Sequence, residues 1–290
     1  PPGSGKTMAA RRIPSIMPEL SCDEALEVTR IYSAAGLLSA GASLITAPPF
    51  RMPHHTASGE GITGGGRWCS PGEVTLAHRG ILFLDEAPEF RKNLLQSLRE
   101  PVEQEEVTVV RAEQKVTFPA SFQLVMTANP CPCGNLGKNN SLCMCSQEDV
   151  AQYWKKIGGA LLDRVDIRVP VKPVSSAQMT GEAGEPSSEI KKRILAASSI
   201  QENRYRGFHF SRNGRIPPGL MERFCYLRET EKHLLHEAVD KLMLSSRAIH
   251  SIMRIARTIA DLGGDPEIGK IHLLEAIGHR RYGEQNLFWN

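Results

Sequence analysis

Lys6 and Thr7 close the run PPGSGKT, and a glycine-rich stretch ending in Gly-Lys-Thr is built to hold phosphate. Its backbone N–H groups turn toward phosphate oxygens, the lysine aims at the β/γ oxygens and the threonine hydroxyl serves Mg²⁺. Pro2, Gly3, Ser4, Gly5, Lys6 and Thr7 are therefore the expected nucleotide-binding residues. The pattern wants a glycine, four free positions and then Gly-Lys-Thr, which puts its first glycine ahead of Pro1. On that spacing the chain is expected to be a piece of a longer protein. Asp85 and Glu86 directly follow the apolar run Ile81 to Leu84, so two carboxylates stand where a buried parallel strand ends and open α/β sheets bind ligands. Nucleotide hydrolysis needs one acid to hold Mg²⁺, here Asp85 with Thr7, and another to orient or deprotonate the attacking water, here Glu86. A solvated acidic pair is the plain alternative for Asp-Glu alone, and the phosphate loop upstream weighs against it.

Two further polar residues stand where they can complete such a site. Asn129 follows a second buried strand, Phe122 to Thr127, and its amide can hydrogen-bond a γ-phosphate or the attacking water; an Asn before Pro is also an ordinary turn residue. Arg164 in Leu161-Leu162-Asp163-Arg164 precedes a strand-like stretch, Val165 to Val169. An arginine there can project from the domain surface to stabilise transition-state charge in a neighbour's site, or be an ordinary surface or ion-paired arginine.

The elements that must position these groups read as an α/β core followed by helices. Ser21 with Glu24 fits a capping box opening a helix through Leu38, and Ser146 with Asp149 fits another before Tyr153. Alternation from Glu106 to Phe118 around Ala112 to Gln114 predicts a β-hairpin. From Pro173 the composition shifts to Ser, Gly, Pro and Glu, a linker signature. The expected division is an α/β nucleotide domain over 1–175, a linker over 176–188 and a smaller all-helical domain over 189–290. In the last of these, Ile249, Ile252, Met253, Ala256 and Ala260 form a helical stripe stopped by Gly263-Gly264 and Pro266. Arg247 lies off that stripe, with Arg254 one heptad later on the same side, and is expected to reach outward; a solvated basic face is the alternative.

Composition narrows the function classes. The chain has 290 residues, 41% of them hydrophobic, and no apolar run approaches the ~20 residues a membrane helix needs. A nucleotide-dependent enzyme with no membrane partner points to the cytoplasm. Net charge is +3, so nucleic acid would be gripped by a few focused basic residues rather than by the whole surface. An odd seven cysteines argue against a disulfide framework. Cys131, Cys133, Cys143 and Cys145 offer a four-thiolate Zn²⁺ knuckle that would rigidify the loop after Asn129, although structural zinc more often uses two residues between paired cysteines. Free or redox-active thiols are the other reading.

PPGSGKT, LAHRGILFLDEAPEF, TANPCPCGN, LLDRVDI and SSRAIHSIMRIARTIADL together resemble the Mg-chelatase-like AAA+ ATPases of the ComM/YifB type, as do PFRMPHHT and CPCG. The resemblance covers essentially the whole chain. Pro49, where the family usually has Arg, departs from it, and the family's Lon-protease-like N-terminal domain is expected upstream of this piece. The resemblance implies an AAA+ P-loop core with a parallel sheet and a helical lid, ATP and Mg²⁺ as cofactors, and a homo-hexamer with sites between subunits. Within that pattern Asn129 matches sensor 1, Arg164 the arginine finger and Arg247 sensor 2. It also implies a DNA translocase or branch-migration helicase in recombination of incoming DNA. The alternative is a chelatase-type motor that remodels a protein partner for metal insertion; a nucleotide-dependent scaffold without turnover is a third reading, disfavoured by Glu86 and Arg164. In a ring, Arg51, His54 and His55 in their Pro-punctuated loop, with Arg111 and Lys115 flanking the hairpin tip, would repeat six times as a phosphate track for DNA. Ordinary exposed charges are the competing reading of each.

Overall fold

The structure is a computed structural model that describes residues 1–38, 41, 43–66, 69–111, 114–138, 141–173 and 184–281. Of these, 1–164 and 171–173 form one compact unit, and 165–170 with 184–281 form another. Most of the expected linker lies outside the described residues.

The first unit runs α1 (Lys6–Ile16), α2 (Cys22–Ala34), β1 (Phe50–Arg51), α3 (Gly59–Thr63), α4 (Glu73–Leu76), β2 (Ile81–Leu84), α5 (Lys92–Ser97), α6 (Arg99–Gln104), β3 (Glu106–Arg111), β4 (Gln114–Pro119), β5 (Gln123–Met126), α7 (Gln147–Lys155) and α8 (Gly159–Leu162). Both expected capping boxes form, at Ser21 with Glu24 and at Ser146 with Asp149. Helix α2 stops at Ala34 rather than Leu38, because turn bonds from Ala35 and Gly36 close off its last carbonyls.

Strands β1, β2 and β5 make a parallel sheet with β2 in the middle. The apolar run of β2 is buried on both faces for a simple reason of period: successive side chains point opposite ways. Leu82 and Leu84 pack with Leu94, Leu95, Leu98 and Leu161. Ile81 and Phe83 pack with Ala10 and Ile13 of α1 and with Phe50 and Val125 of the flanking strands. Each such large side chain contributes about 1.5–3 kcal/mol by leaving water, and the packing seats the start of α1 over the carboxyl end of β2. The β3–β4 hairpin is antiparallel from Glu106 opposite Pro119 to Arg111 opposite Gln114; its tip, 112–113, lies outside the described residues.

The second unit contains α9 (Ser187–Arg204), α10 (Met221–Phe224), α11 (Glu229–Leu242), α12 (Ser246–Gly263) and α13 (Lys270–Arg281). Helix α12 starts at an N-cap on Ser245, whose side chain accepts from the Ala248 N–H, and ends on a left-handed Gly264. Ile252, Ala256 and Ala260 of the expected stripe are buried, with Ile249 and Met253 on its margin. Two buried polar residues join them. Asp261 takes both Arg204 guanidinium nitrogens, the Asn213 amide at 2.8 Å and Arg257 Nε at 3.2 Å, while Asn213 Oδ1 accepts from Tyr205 Oη at 2.6 Å.

Val165 to Val169, expected as a strand, is not one. Residues 165–170 belong to the second unit and have no regular secondary structure. Arg168 N–H donates to His279 O at 2.9 Å, Arg280 Nη1 to Val165 O at 2.7 Å and Ser251 Oγ to Asp166 Oδ1 at 2.5 Å. Helix-end and side-chain partners satisfy these groups, so no ladder is required. Among the described residues no helix is long and apolar enough to cross a membrane.

Candidate nucleotide site

Gly5 is the N-cap of α1, at φ 78°, a left-handed conformation that side-chain-bearing residues resist. No side chain caps the first turn of α1, so its backbone N–H groups and the positive end of the helix dipole remain available for an anion. Because Leu84 and Met126 are register partners, the next residues, Asp85 and Thr127, emerge side by side. Thr7 Oγ1 donates to the Asp85 carboxylate, 3.0 Å from each oxygen. Thr127 Oγ1 donates to Asp85 Oδ1 at 2.6 Å and accepts from the Glu86 N–H at 2.9 Å. Lys6 Nζ donates to Pro1 O at 2.6 Å, Asn129 Oδ1 at 3.2 Å and Ser4 Oγ at 3.4 Å. Four of the expected residues, Lys6, Thr7, Asp85 and Asn129, thus converge at the ends of β2 and β5. Burial lowers the Lys6 pKa from its ordinary value, against the pull of Asp85 and Glu86. The hydroxyl of Thr7 and the carboxylate of Asp85 are hard oxygen donors of the kind Mg²⁺ takes.

Glu86 is exposed and stands at φ 52°, ψ 52°, a left-handed backbone that costs a non-glycine residue about 1–3 kcal/mol. The strain is held by Thr127, which accepts the Glu86 N–H on its hydroxyl and the Ala87 N–H on its carbonyl, at 2.8 Å. The backbone that carries this exposed carboxylate is thus fixed next to Asp85.

The remaining expected residues lie elsewhere. Arg164 turns inward rather than projecting: it pairs with Glu103, its Nη1 donates to Ala160 O at 2.6 Å, and its side chain is 13% exposed. Arg247 is exposed in the first turn of α12. Arg254, on the same side of the helix, donates Nε and Nη2 to Ile216 O at 3.1 and 2.5 Å, which gives the carbonyl of a buried residue its donor. Arg51 is engaged bidentately by Glu73, at 2.7 Å through both nitrogens, which neutralises its charge. His54 and His55 are exposed with ring centroids 4.1 Å apart. Lys115 is exposed on β4, and Arg111 is the last residue of β3.

The four loop cysteines come together. Cys131 Sγ lies 3.4 Å from Cys133 Sγ and 3.7 Å from Cys143 Sγ, Cys133 and Cys143 are 3.7 Å apart, and all four sulfurs fall within 4.8 Å of one another. A hydrogen bond with the Asn135 backbone, then those with the Cys131 and Cys145 thiols, bring the Cys133 thiol down to about 6.

Thr127 is the functional residue that sequence reading missed. Its signal was a polar side chain ending a strand whose neighbour ends in an acid. Gly134 is another: a Cβ there would stand 2.6 Å from Pro2 Cγ, a contact that no spacing rule announces.

Comparison with known proteins places this geometry in a family. The family model described as magnesium chelatase, subunit ChlI, matches residues 1–179, and that of the ChlI C-terminal region matches 184–280. The chain is 40% identical over 285 residues to the competence protein ComM of Haemophilus influenzae, covering 97% of this chain and 54% of that protein. It is 38% identical over 282 residues to the uncharacterized protein YifB of Escherichia coli, covering 97% and 54%. An uncharacterized protein of Mycobacterium tuberculosis is 39% identical over 284 residues, covering 98% and 56%. The chain therefore spans about half the length of the curated relatives it matches. Its phosphate loop, its acidic strand end and its helical second unit all lie inside those matches, and the chain belongs to the magnesium chelatase ChlI family of AAA+ proteins, in the company of ComM and YifB.

Proposed function

We propose that this chain is the ATP-hydrolysing motor of a ring-forming DNA translocase that migrates branched DNA during recombination of incoming strands in the cytoplasm. The observation that carries the ATPase part is the pairing of consecutive loop residues with two strand ends, Lys6 with Asn129 and Thr7 with Asp85. In this reading Lys6 and the α1 N–H groups bind the phosphates, with Pro2, Gly3, Ser4 and Gly5 shaping the loop. Thr7 and Asp85 would hold Mg²⁺, which would supply positive charge against the charge that develops on the phosphates. Glu86 orients the attacking water and takes its proton, and Asn129 and Arg247 report the γ-phosphate. Arg164 leaves Glu103 to complete the site of an adjacent subunit in a homo-hexamer. Support for DNA as the partner comes from the relative named a competence protein and from exposed His54, His55 and Lys115, which a ring would repeat. Arg111 belongs to the same hairpin. Arg51 acts there only if it is released from Glu73. ATP and Mg²⁺ are the working cofactors, with Zn²⁺ at the cysteine cluster.

The second reading, a chelatase-type motor acting on a protein partner, is favoured by the description of the matching family model. ATP turnover by the full-length protein, measured alone, with single-stranded DNA and with forked DNA, separates the two. Stimulation by DNA is the expected result; turnover indifferent to both DNAs overturns the translocase reading and leaves the chelatase-type one.

A further inference from the structure

We infer that the four-cysteine loop is a Zn²⁺ site whose metal braces the phosphate loop, so that zinc occupancy sets nucleotide affinity. This rests on the ATPase reading above and adds a structural coupling to it.

The sulfur geometry supports the metal. A tetrahedral zinc with bonds of about 2.3 Å spaces its thiolates about 3.8 Å apart, and three of the sulfur pairs here lie at 3.4–3.7 Å. The Leu136 N–H points at Cys131 Sγ, 3.4 Å away, as backbone donors do toward a metal-bound thiolate. The cluster contains four sulfurs and no oxygen ligand, a soft set that suits zinc and rejects Mg²⁺. Among the loop's described residues Leu142 and Met144 are 77% and 82% exposed, so these apolar side chains do little to offset the cost of ordering it, and a metal supplies what their packing does not.

The connection to the phosphate loop is steric. Gly134 lies between the cysteine pairs at φ 73°, and a Cβ there would stand 2.6 and 2.8 Å from Pro2 Cγ and Cδ and 4.0 Å from Asn129 Cγ. Its N–H donates to Cys131 O at 3.0 Å, which makes the seat for Pro2 part of the turn carrying the first ligand. Asn129 precedes that ligand by two residues, and Trp154 Nε1 on α7 donates to Pro130 O between them, at 3.2 Å. Fixing the sulfurs therefore fixes both the surface on which Pro2 rests and the amide that Lys6 meets. Gly134 is a positioning residue in this scheme.

The test begins with nucleotide affinity of the whole chain, measured with a fluorescent ATP analogue, and with zinc content of protein purified without chelator. About one zinc per chain is expected. Stripping it should weaken the analogue about tenfold, with Zn²⁺ but not Mg²⁺ restoring it. Gly134→Ala should keep its zinc and its circular dichroism yet lose about tenfold in affinity, since its Cβ would displace Pro2, whose Cγ stands 2.6 Å from that position. Cys143→Ser should lose zinc and affinity together, while Cys22→Ser keeps both. Absence of zinc overturns the metal site. Stoichiometric zinc with affinity unmoved by stripping and by Gly134→Ala overturns the brace and leaves the ATPase reading intact. A parent chain that binds no nucleotide overturns the ATPase reading itself.

Discussion

Thr127 Oγ1 donates a hydrogen bond to Asp85 Oδ1 across the β2–β5 pair, at 2.6 Å, while accepting the N–H of Glu86. One hydroxyl thus fixes the orientation of the expected metal-binding acid and the backbone of the expected water-orienting acid. Thr127→Val keeps the shape and removes both bonds. A hydrogen bond to a charged group contributes about 1.5–3 kcal/mol, so the variant should need about tenfold more Mg²⁺ for half-maximal ATP hydrolysis. An unchanged Mg²⁺ requirement would show that Asp85 is held by Thr7 alone.

Glu86→Gln removes the proton acceptor and leaves Lys6, Thr7 and Asp85 untouched. Positioned general bases contribute roughly 10²–10⁴-fold, so turnover should fall by at least about a hundredfold while nucleotide binding persists. Near-normal turnover would reject the assignment.

Arg164 is turned toward Glu103 and Ala160, not toward the Lys6 cluster of its own chain. If its work is done in a neighbour's site, two dead variants should rescue each other. Lys6→Ala lacks phosphate binding but keeps its arginine, and Arg164→Ala has the reverse. Mixed, they should recover a measurable part of wild-type turnover, read in a coupled ATPase assay. No recovery at any mixing ratio counts against sites shared between subunits.

His78 gives the fold an acid-sensitive point. Its Nδ1 accepts from the Ser121 N–H at 3.0 Å, which leaves the proton on Nε2, 3.1 Å from Glu27 Oε2. Burial, with Arg79 nearby, holds its pKa below the ordinary 6.5 despite Glu27. The stabilisation is therefore full above about 6.5 and is lost as pH falls through the native value, because the unfolded chain takes up a proton that the native one refuses. Glu27, where burial is outweighed by bonds from Arg79 and His78, adds a loss of the same sign starting below its ordinary 4.5. Between about pH 7.5 and 5.5 the urea midpoint of the wild type should drop further than that of His78→Gln.

In the second unit Asp261 is fully buried and binds Arg204, Asn213 and Arg257. Asp261→Ala strands a buried guanidinium at Arg257 and should cost about 3–5 kcal/mol, seen as a large fall in melting temperature. A loss below about 1 kcal/mol, the scale of a surface ion pair, would mean that Asn213 and the backbone carbonyls carry the network.

Much of this was legible beforehand, for physical reasons that differ by residue. Lys6, Thr7, Asp85 and Asn129 are readable because phosphate chemistry fixes residue type and spacing together, and Ile81 to Leu84 because a short apolar run with an acid at its end has few uses. Hairpin and capping boxes are local, so their signals are complete in the sequence. The inward turn of Arg164 was not readable, since its partner Glu103 is 61 positions away and nothing in either neighbourhood names the other. Val165 to Val169 has the composition of a strand but finds its partners in α12 and α13, and composition does not say who the partner is.

The two-sided burial of β2 has a cost in information. A strand with one wet face resists slipping by a residue, since the slip would turn its apolar side to water. Ile81, Leu82, Phe83 and Leu84 are all fully buried, so exchanging faces would still leave oil against oil. What the slip would break is polar: Asp85 would move by about 3.3 Å, out of reach of Thr7 and Thr127. The same carboxylate proposed to hold the metal is thus a register mark for the central strand, and a sequence that gave it up would lose the alignment of its sheet as well.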